Sequence, residues 1–247
     1  MLRGKKLNRL LLHWHPDTVV TRPWLRRLGI SPALQRRYEH SGWLRSIGVG
    51  AAVRYGRAVE WQGAVHALQH QLYLPVHVGG SSVFALSGDP RDTGTVHLWA
   101  CRGVRLPLWF TRNWGNRAKL RVSDFLPADL GLTIWEQPGF PVRVAGPERA
   151  MLECARLVSN DHEFLAAARF MRGLTDPCPT MAQKLLENCD SVKAKRLFLL
   201  LARHTRRPWF RALHPKRLDL GSGPRQVVRG GKLDKTYKIT VPRELEK

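Results

Sequence analysis

Between residues 22 and 46 the chain carries side chains of the types that read a nucleic-acid duplex. Gln35, Arg36 and Arg37 are consecutive in "SPALQRRYEHSG", which begins at Ser31 and ends at Gly42. Arginine can make a bidentate pair with a guanine edge, and glutamine with adenine. Ser31 and the free backbone N–H groups behind it can hold a phosphate, helped by the helix dipole. Arg22 joins this set at the start of the preceding helix, and Arg45 and Ser46 follow in "WLRSIGVGAAVR". The small residues Gly48 and Gly50 would let a hairpin there lie close to a phosphate backbone or a minor groove. A solvated basic helix in a bundle uses the same residue types. Glu39 and His40 also fall on the outer side, so that surface is not uniformly basic.

A second basic set lies near the C-terminus. From Ser191 to Arg217 there are nine Lys/Arg and no acid. Val192, Leu197, Leu200 and Leu201 can bury one helix face. Lys193, Lys195, Arg196, Arg203, Arg206 and Arg207 then surround the rest, and Trp209 follows. A solvated face normally mixes both signs, so this run is expected to meet an anionic partner, with phosphate contact its simplest use. A membrane surface fits less well, because no Trp/Phe/Lys amphipathic segment stands apart from the core pattern.

Catalytic patterns are weak. "VGGSSVFALSGDPRD" sets Gly80–Ser81 ahead of Asp89 and Asp92, which loosely resembles a nucleotidyltransferase site. Carboxylates sharing a metal on one strand face need an alternate spacing. Asp89 and Asp92 are three apart with Pro90 between them, so a glycine-rich turn into a short helix is the better reading. His66 and His70 are four apart, as two zinc ligands on a helix would be, but no nearby Cys, Asp or Glu completes a set. His13 and His15 in "HWH" are equally isolated. There is no phosphate-binding loop with lysine and no GxSxG elbow, and Ser81 has no evident base. No cofactor or metal is implied.

These residues need elements to place them. The chain has 247 residues, 41 Lys+Arg against 19 Asp+Glu, and 43% apolar residues, enough for one large domain or two ordinary ones. A formal charge of +22 attracts polyanions. It is concentrated at the ends: residues 1–75 hold 12 Lys/Arg and 3 acids, residues 76–160 hold 10 and 7, and residues 161–247 hold 19 and 9. The first 55 residues predict three helices and a hairpin. The first helix spans about residues 5–13. The second, capped by Thr21, turns Trp24, Leu25 and Leu28 inward. The third is capped by Ser31 with Pro32 in its first position, and Leu34 and Tyr38 face the core. This is the order of a winged helix-turn-helix. A helix over about residues 61–73 follows. Beyond it "TVHLWACR" and "LTIWEQ" read as strands. "GPERAMLECARLV", "EFLAAARFMRGL", "TMAQKLLENC" and "SVKAKRLFLLLARH" read as helices, and "QVVRGGKLDKTYKITV" as a hairpin turning at Gly230–Gly231. The fold class expected is α+β: a winged helix-turn-helix domain over 1–75 and a larger mixed domain over 76–247. No run of about 18 apolar residues could span a membrane. Cys101, Cys154, Cys178 and Cys189 are expected reduced and buried in a cytoplasmic protein.

"LGISPALQRRYEHSGWLRSIGVGAAVR", "WQGAVHALQHQLYLPVHVGGSSVFALSG" and "LDLGSGPRQVVRGGKLDKTYKITVP" resemble, in order and over nearly the whole chain, the AbiEi-type antitoxins of type IV toxin–antitoxin (abortive infection) systems. The resemblance implies an N-terminal winged helix-turn-helix and a larger antitoxin domain. It implies a non-enzymatic repressor of its own operon, bound to inverted repeats in the promoter DNA. It also implies a functional counterpart, a nucleotidyltransferase-like toxin, countered without a stable complex. The competing classes are a nucleotidyltransferase or nuclease using the basic surface, and an RNA-binding module.

Overall fold

A computed structural model describes residues 3–86, 94–174, 177–206, 208–228 and 230–243, with side chains from residue 6 onward. Arg207, Asp89 and Asp92 lie outside the described residues. The chain divides into two compact units. One comprises Met1–Val78, Gly94–Val122 and Ile134–Val144, and the other Gly79–Thr93, Ser123–Thr133 and Ala145–Lys247. The single cut expected near residue 75 therefore differs from the division by packing, because later segments of chain return to the first unit.

The first unit opens with α1 (Arg3–His13), β1 (Val20–Thr21), α2 (Arg22–Arg27), α3 (Pro32–His40), β2 (Leu44–Gly48) and β3 (Ala51–Arg54). The strands form an antiparallel sheet in the order β1-β3-β2. This is a winged helix-turn-helix. Its core is Leu10, Trp14, Val20, Leu25, Ile30, Tyr38, Leu44 and Ala52, with Leu7, Trp24, Leu28 and Leu34 packed around it. Gly29 makes the α2–α3 turn at φ 75°, a conformation that costs glycine little. The Ser31 hydroxyl accepts from Leu34 N at 3.2 Å, and Pro32 occupies the first turn of α3. Thr21 precedes α2 but makes no side-chain cap; it belongs to β1, and its N–H donates to Gln71 Oε1 at 2.8 Å.

The helix expected over residues 61–73 is α4 (Trp61–His66), continued by a π-helical turn, Ala67–Gln71. Then come β4 (Val76–Val78), α5 (Ser81–Leu86), β5 (Val96–Ala100), α6 (Leu108–Trp114), β6 (Ala118–Val122), β7 (Leu132–Gln137) and β8 (Phe140–Ala145). The strands form one sheet, β6-β5-β4-β8-β7, with β4–β5 antiparallel and β5–β6 and β4–β8 parallel. The buried Gln69 links the π-turn to this sheet: its amide nitrogen donates to the carbonyls of Val76 and Arg143, and its oxygen accepts from Arg143 N.

The second unit contains α5 and the four expected helices: α7 (Pro147–Leu157), α8 (Asp161–Gly173), α9 (Pro179–Glu187) and α10 (Val192–His204). Asn160 caps α8 and Ser191 caps α10. α10 packs against α7, α8 and β10, the last paired with β9 (Lys232–Asp234) as β10 (Ile239–Val241). The hairpin turn thus falls at residues 235–238, not at Gly230–Gly231. Among the described residues no helix is long and apolar enough to cross a membrane.

Candidate nucleic-acid interface

A cleft of about 470 Å³ opens between α3 and the wing, lined by Arg22, Pro32, Gln35, Arg36, Glu39, Ser46, Gly48, Val49 and Gly50. Arg22, Ser31, Arg36, Arg37, Arg45 and Ser46 are all exposed. The Arg22 N–H donates to Gly50 O at 2.8 Å, tying the start of α2 to the wing tip. This brings together most of the residues expected to meet a duplex. Gln35 is the exception. It is 6% exposed, and its amide donates to Glu39 Oε1 at 3.0 Å. Three positions before Tyr38, it falls toward the buried side of α3, so although it lines the cleft beside Arg36 its amide is engaged within the helix.

Glycine 48 answers to protein rather than to a duplex. A Cβ there would lie 3.2 Å from Trp109 Cβ in α6. Asn113 Nδ2, one turn on in α6, donates to Ile47 O at 2.9 Å. β2 is the edge strand of its sheet, so α6 satisfies a carbonyl that would otherwise be unpaired at that edge. Gly50 has open space around it, and Val49 between the two glycines is 81% exposed.

The C-terminal basic set is largely corrected by the structure. Lys195 and Arg196 are buried in α10, Arg196 with 1% exposure. Arg196 Nε donates to Leu220 O at 2.7 Å. Its two terminal nitrogens reach Gly223 O, Lys238 O, Gly221 O and Ser222 O at 2.7–3.4 Å. Lys193 Nζ donates to Val158 O at 2.9 Å, and burial holds its pKa below the usual lysine range. Arg203 pairs with Asp234 at 2.6 Å and lies over the Tyr237 ring. Only Arg206 of the described five is exposed without a side-chain bond. The reason is that α10 is covered on nearly all sides, so Lys193 and Arg196 serve the chain's own carbonyls and Arg203 one of its carboxylates.

Comparisons with known proteins fit this architecture. Residues 3–91 match the model of a family described as "Transcriptional regulator, AbiEi antitoxin N-terminal domain". Residues 93–242 match that of "Transcriptional regulator, AbiEi antitoxin, Type IV TA system". The chain belongs to the AbiEi antitoxin family. It is thus an antitoxin and a transcriptional regulator of a type IV toxin–antitoxin system. Among solved structures it is similar to the Rv2827c protein from Mycobacterium tuberculosis, at 16% identity and a TM-score of 0.61, over 98% of this chain and 92% of that one; this likeness concerns the fold. No curated protein gives a significant sequence match.

In this AbiEi antitoxin Gly80, His66 and His70, which were among the residues that raised the catalytic alternatives, have structural partners. Gly80 turns at φ 60°, and its N–H donates to Glu153 Oε2 at 2.8 Å. Glu153 is fully buried and also accepts from Arg149 Nε at 2.9 Å, while Arg149 reaches the carbonyls of Pro127 and Leu130. The buried Glu148 accepts from Cys178 N. None of these three was singled out from "GPERAMLECARLV"; the signal available was Arg149 and Glu153 four apart on an otherwise apolar helix. His66 and His70 stack at 4.5 Å, and His66 Nδ1 lies 2.8 Å from Pro141 O. Burial lowers the pKa of both. Among the described residues no group of three His, Cys, Asp or Glu could hold a metal. All four cysteines are unpaired, and Cys154 and Cys189 are buried as expected; Cys178, however, is exposed at the start of α9.

Proposed function

We propose that this antitoxin represses its own operon by laying α3 in the major groove of inverted repeats in its promoter. The observation that supports this is the α3–wing cleft lined by the exposed Arg22 and Arg36, with Arg37 and Arg45 also exposed on α3 and β2. Arg36 and Arg37 read base edges from the middle of α3, while Ser31, Arg22 and Arg45 hold phosphates. The remaining chain counters a nucleotidyltransferase-like toxin without a stable complex, and the protein works in the cytoplasm as a regulator, not as a catalyst. The unpaired guanidinium groups and the +22 charge favour the duplex electrostatically.

The test is competition binding of the full chain to its native promoter and to a scrambled duplex. Arg36→Ala should cost about 1–3 kcal/mol on the promoter and little on the scrambled duplex. Equal losses on both would mean that Arg36 touches only phosphate. With about 6 phosphates neutralised, log K against log salt should fall with a slope of about −5. A slope shallower than about −2 would rule out that extent of backbone contact. Co-expression with the toxin should rescue growth without co-purification of the two proteins; a stable complex would overturn the neutralisation part.

A further inference from the structure

The wing of this molecule lacks what a wing ordinarily brings to a phosphate backbone. From Ser46 to Val53 there is no charged side chain, and the tip is Gly48-Val49-Gly50. The wing is instead joined to α6. The Asn113 amide donates to Ile47 O in β2, and the α6 backbone at Trp109 comes so close to Gly48 that even a methyl group there would be crowded. Trp109 and Phe110 are buried, so α6 is anchored by its aromatic side. Arg112 is the chain neighbour of Asn113 and is exposed, as is Arg105 in the segment leading into α6. From Arg102 to Arg121 there are six Lys/Arg and no acid. At least three of them are engaged: Arg102 has an interaction of its own, Arg117 pairs with Glu60 at 3.8 Å, and Lys119 Nζ donates to Gly115 O. Arg105 and Arg112 have no side-chain hydrogen bond or ion pair among the described residues.

We infer that α6 is a third part of the DNA interface, continuing the surface of α3 and the wing, with Arg105 and Arg112 supplying the phosphate contacts that the uncharged wing tip does not. This rests on the promoter-binding reading above and names the element that completes it. Asn113 and Gly48 act as positioning residues: they fix α6 to β2, so the two arginines keep a set distance from the reading helix. The partner is duplex DNA of any sequence at these positions, because a guanidinium on a phosphate carries no base information.

The experiment is a salt titration of binding by the full chain, on promoter and scrambled duplexes, for wild type, Arg36→Ala, the double variant Arg105→Ala/Arg112→Ala, and Arg172→Ala. The last removes one exposed charge from the second unit and controls for the general field. The double variant should weaken both duplexes by the same factor and make the log K–log salt slope shallower by about 2. Arg105→Lys/Arg112→Lys should restore most of it. A double variant with the wild-type slope and affinity overturns the inference, as does a change per charge no larger than that of Arg172→Ala. Should the wild type fail to prefer its promoter, the operator reading falls. The slope change of the double variant would still decide whether α6 holds phosphate.

Discussion

Arg36 and Arg196 carry the same guanidinium, yet water solvates one and five carbonyl oxygens surround the other. Replacing Arg196 by Met keeps volume but strands the carbonyls of Leu220, Gly221 and Gly223 inside the protein. Such acceptors are costly without donors, so Arg196→Met should lower unfolding stability by about 3 kcal/mol in urea titration. Arg206→Ala, at an exposed and unbonded position, should stay within about 0.5 kcal/mol of wild type. Similar losses for both would deny Arg196 its structural role. Exposure on the reading helix and wing was legible in the sequence, and Arg22, Arg36, Arg37, Arg45 and Ser46 are all exposed. The fate of Arg196 was not, because its partners lie 24–42 positions away. Local spacing shows which face a side chain takes, not what later segment will cover it. Gln35 failed for a nearer reason: its face of α3 is one step from the Leu34–Tyr38 stripe, and burial there is decided by how the sheet packs.

Among elements, the longer helices were readable because apolar residues recur along them, and Ser31 with Pro32 marks the start of α3. The short strands β1 and β4 were not. β1 and β4 are buried at every position, so no alternation marks them. The α6–wing junction was equally hidden, since two glycines in a hairpin look like any turn. Gly48→Ala meets both a left-handed φ of 135° and Trp109, whereas Gly50→Ala meets only its φ of 86°. Backbone strain alone costs roughly 1–2 kcal/mol, so both variants should lose about that much. Gly48→Ala should lose more and also increase hydrogen exchange of the β2 amides. The helix from α4 through the π-turn makes a pH-dependent contribution. His66 and His70 are held below their ordinary pKa of 6.5, mainly by burial. A base depressed on folding takes up fewer protons in the folded state, so its stability is full above pH 6.5 and is lost as pH falls below it. His204, lowered chiefly by burial, acts with the same sign. Thermal unfolding temperatures should therefore drop from neutral pH toward the folded-state pKa values. His66→Gln/His70→Gln should flatten that decline without abolishing it, and an unchanged profile would remove the pair as its source.

At the scale of the molecule, the chain passes between its two units five times. Sequence composition showed two basic ends and a balanced middle, which favoured one cut near residue 75. Packing does not respect that cut. A fragment of residues 1–75 lacks Asn113 for the wing, Pro141 for His66 and Arg143 for Gln69. Such a fragment should melt without a cooperative transition, by circular dichroism or calorimetry, while the intact chain unfolds cooperatively; a sharp transition in the fragment would restore the simple two-domain division. The return of residues 134–144 to the first unit also sets an order of events during translation. A ribosome will have made every residue of α3 and the wing long before β8 emerges, yet the unit they belong to is unfinished until Val144 is free of the exit tunnel. On the promoter-binding function proposed above, a nascent or prematurely terminated chain would then occupy its promoter poorly, and repression would report on completed molecules rather than on fragments.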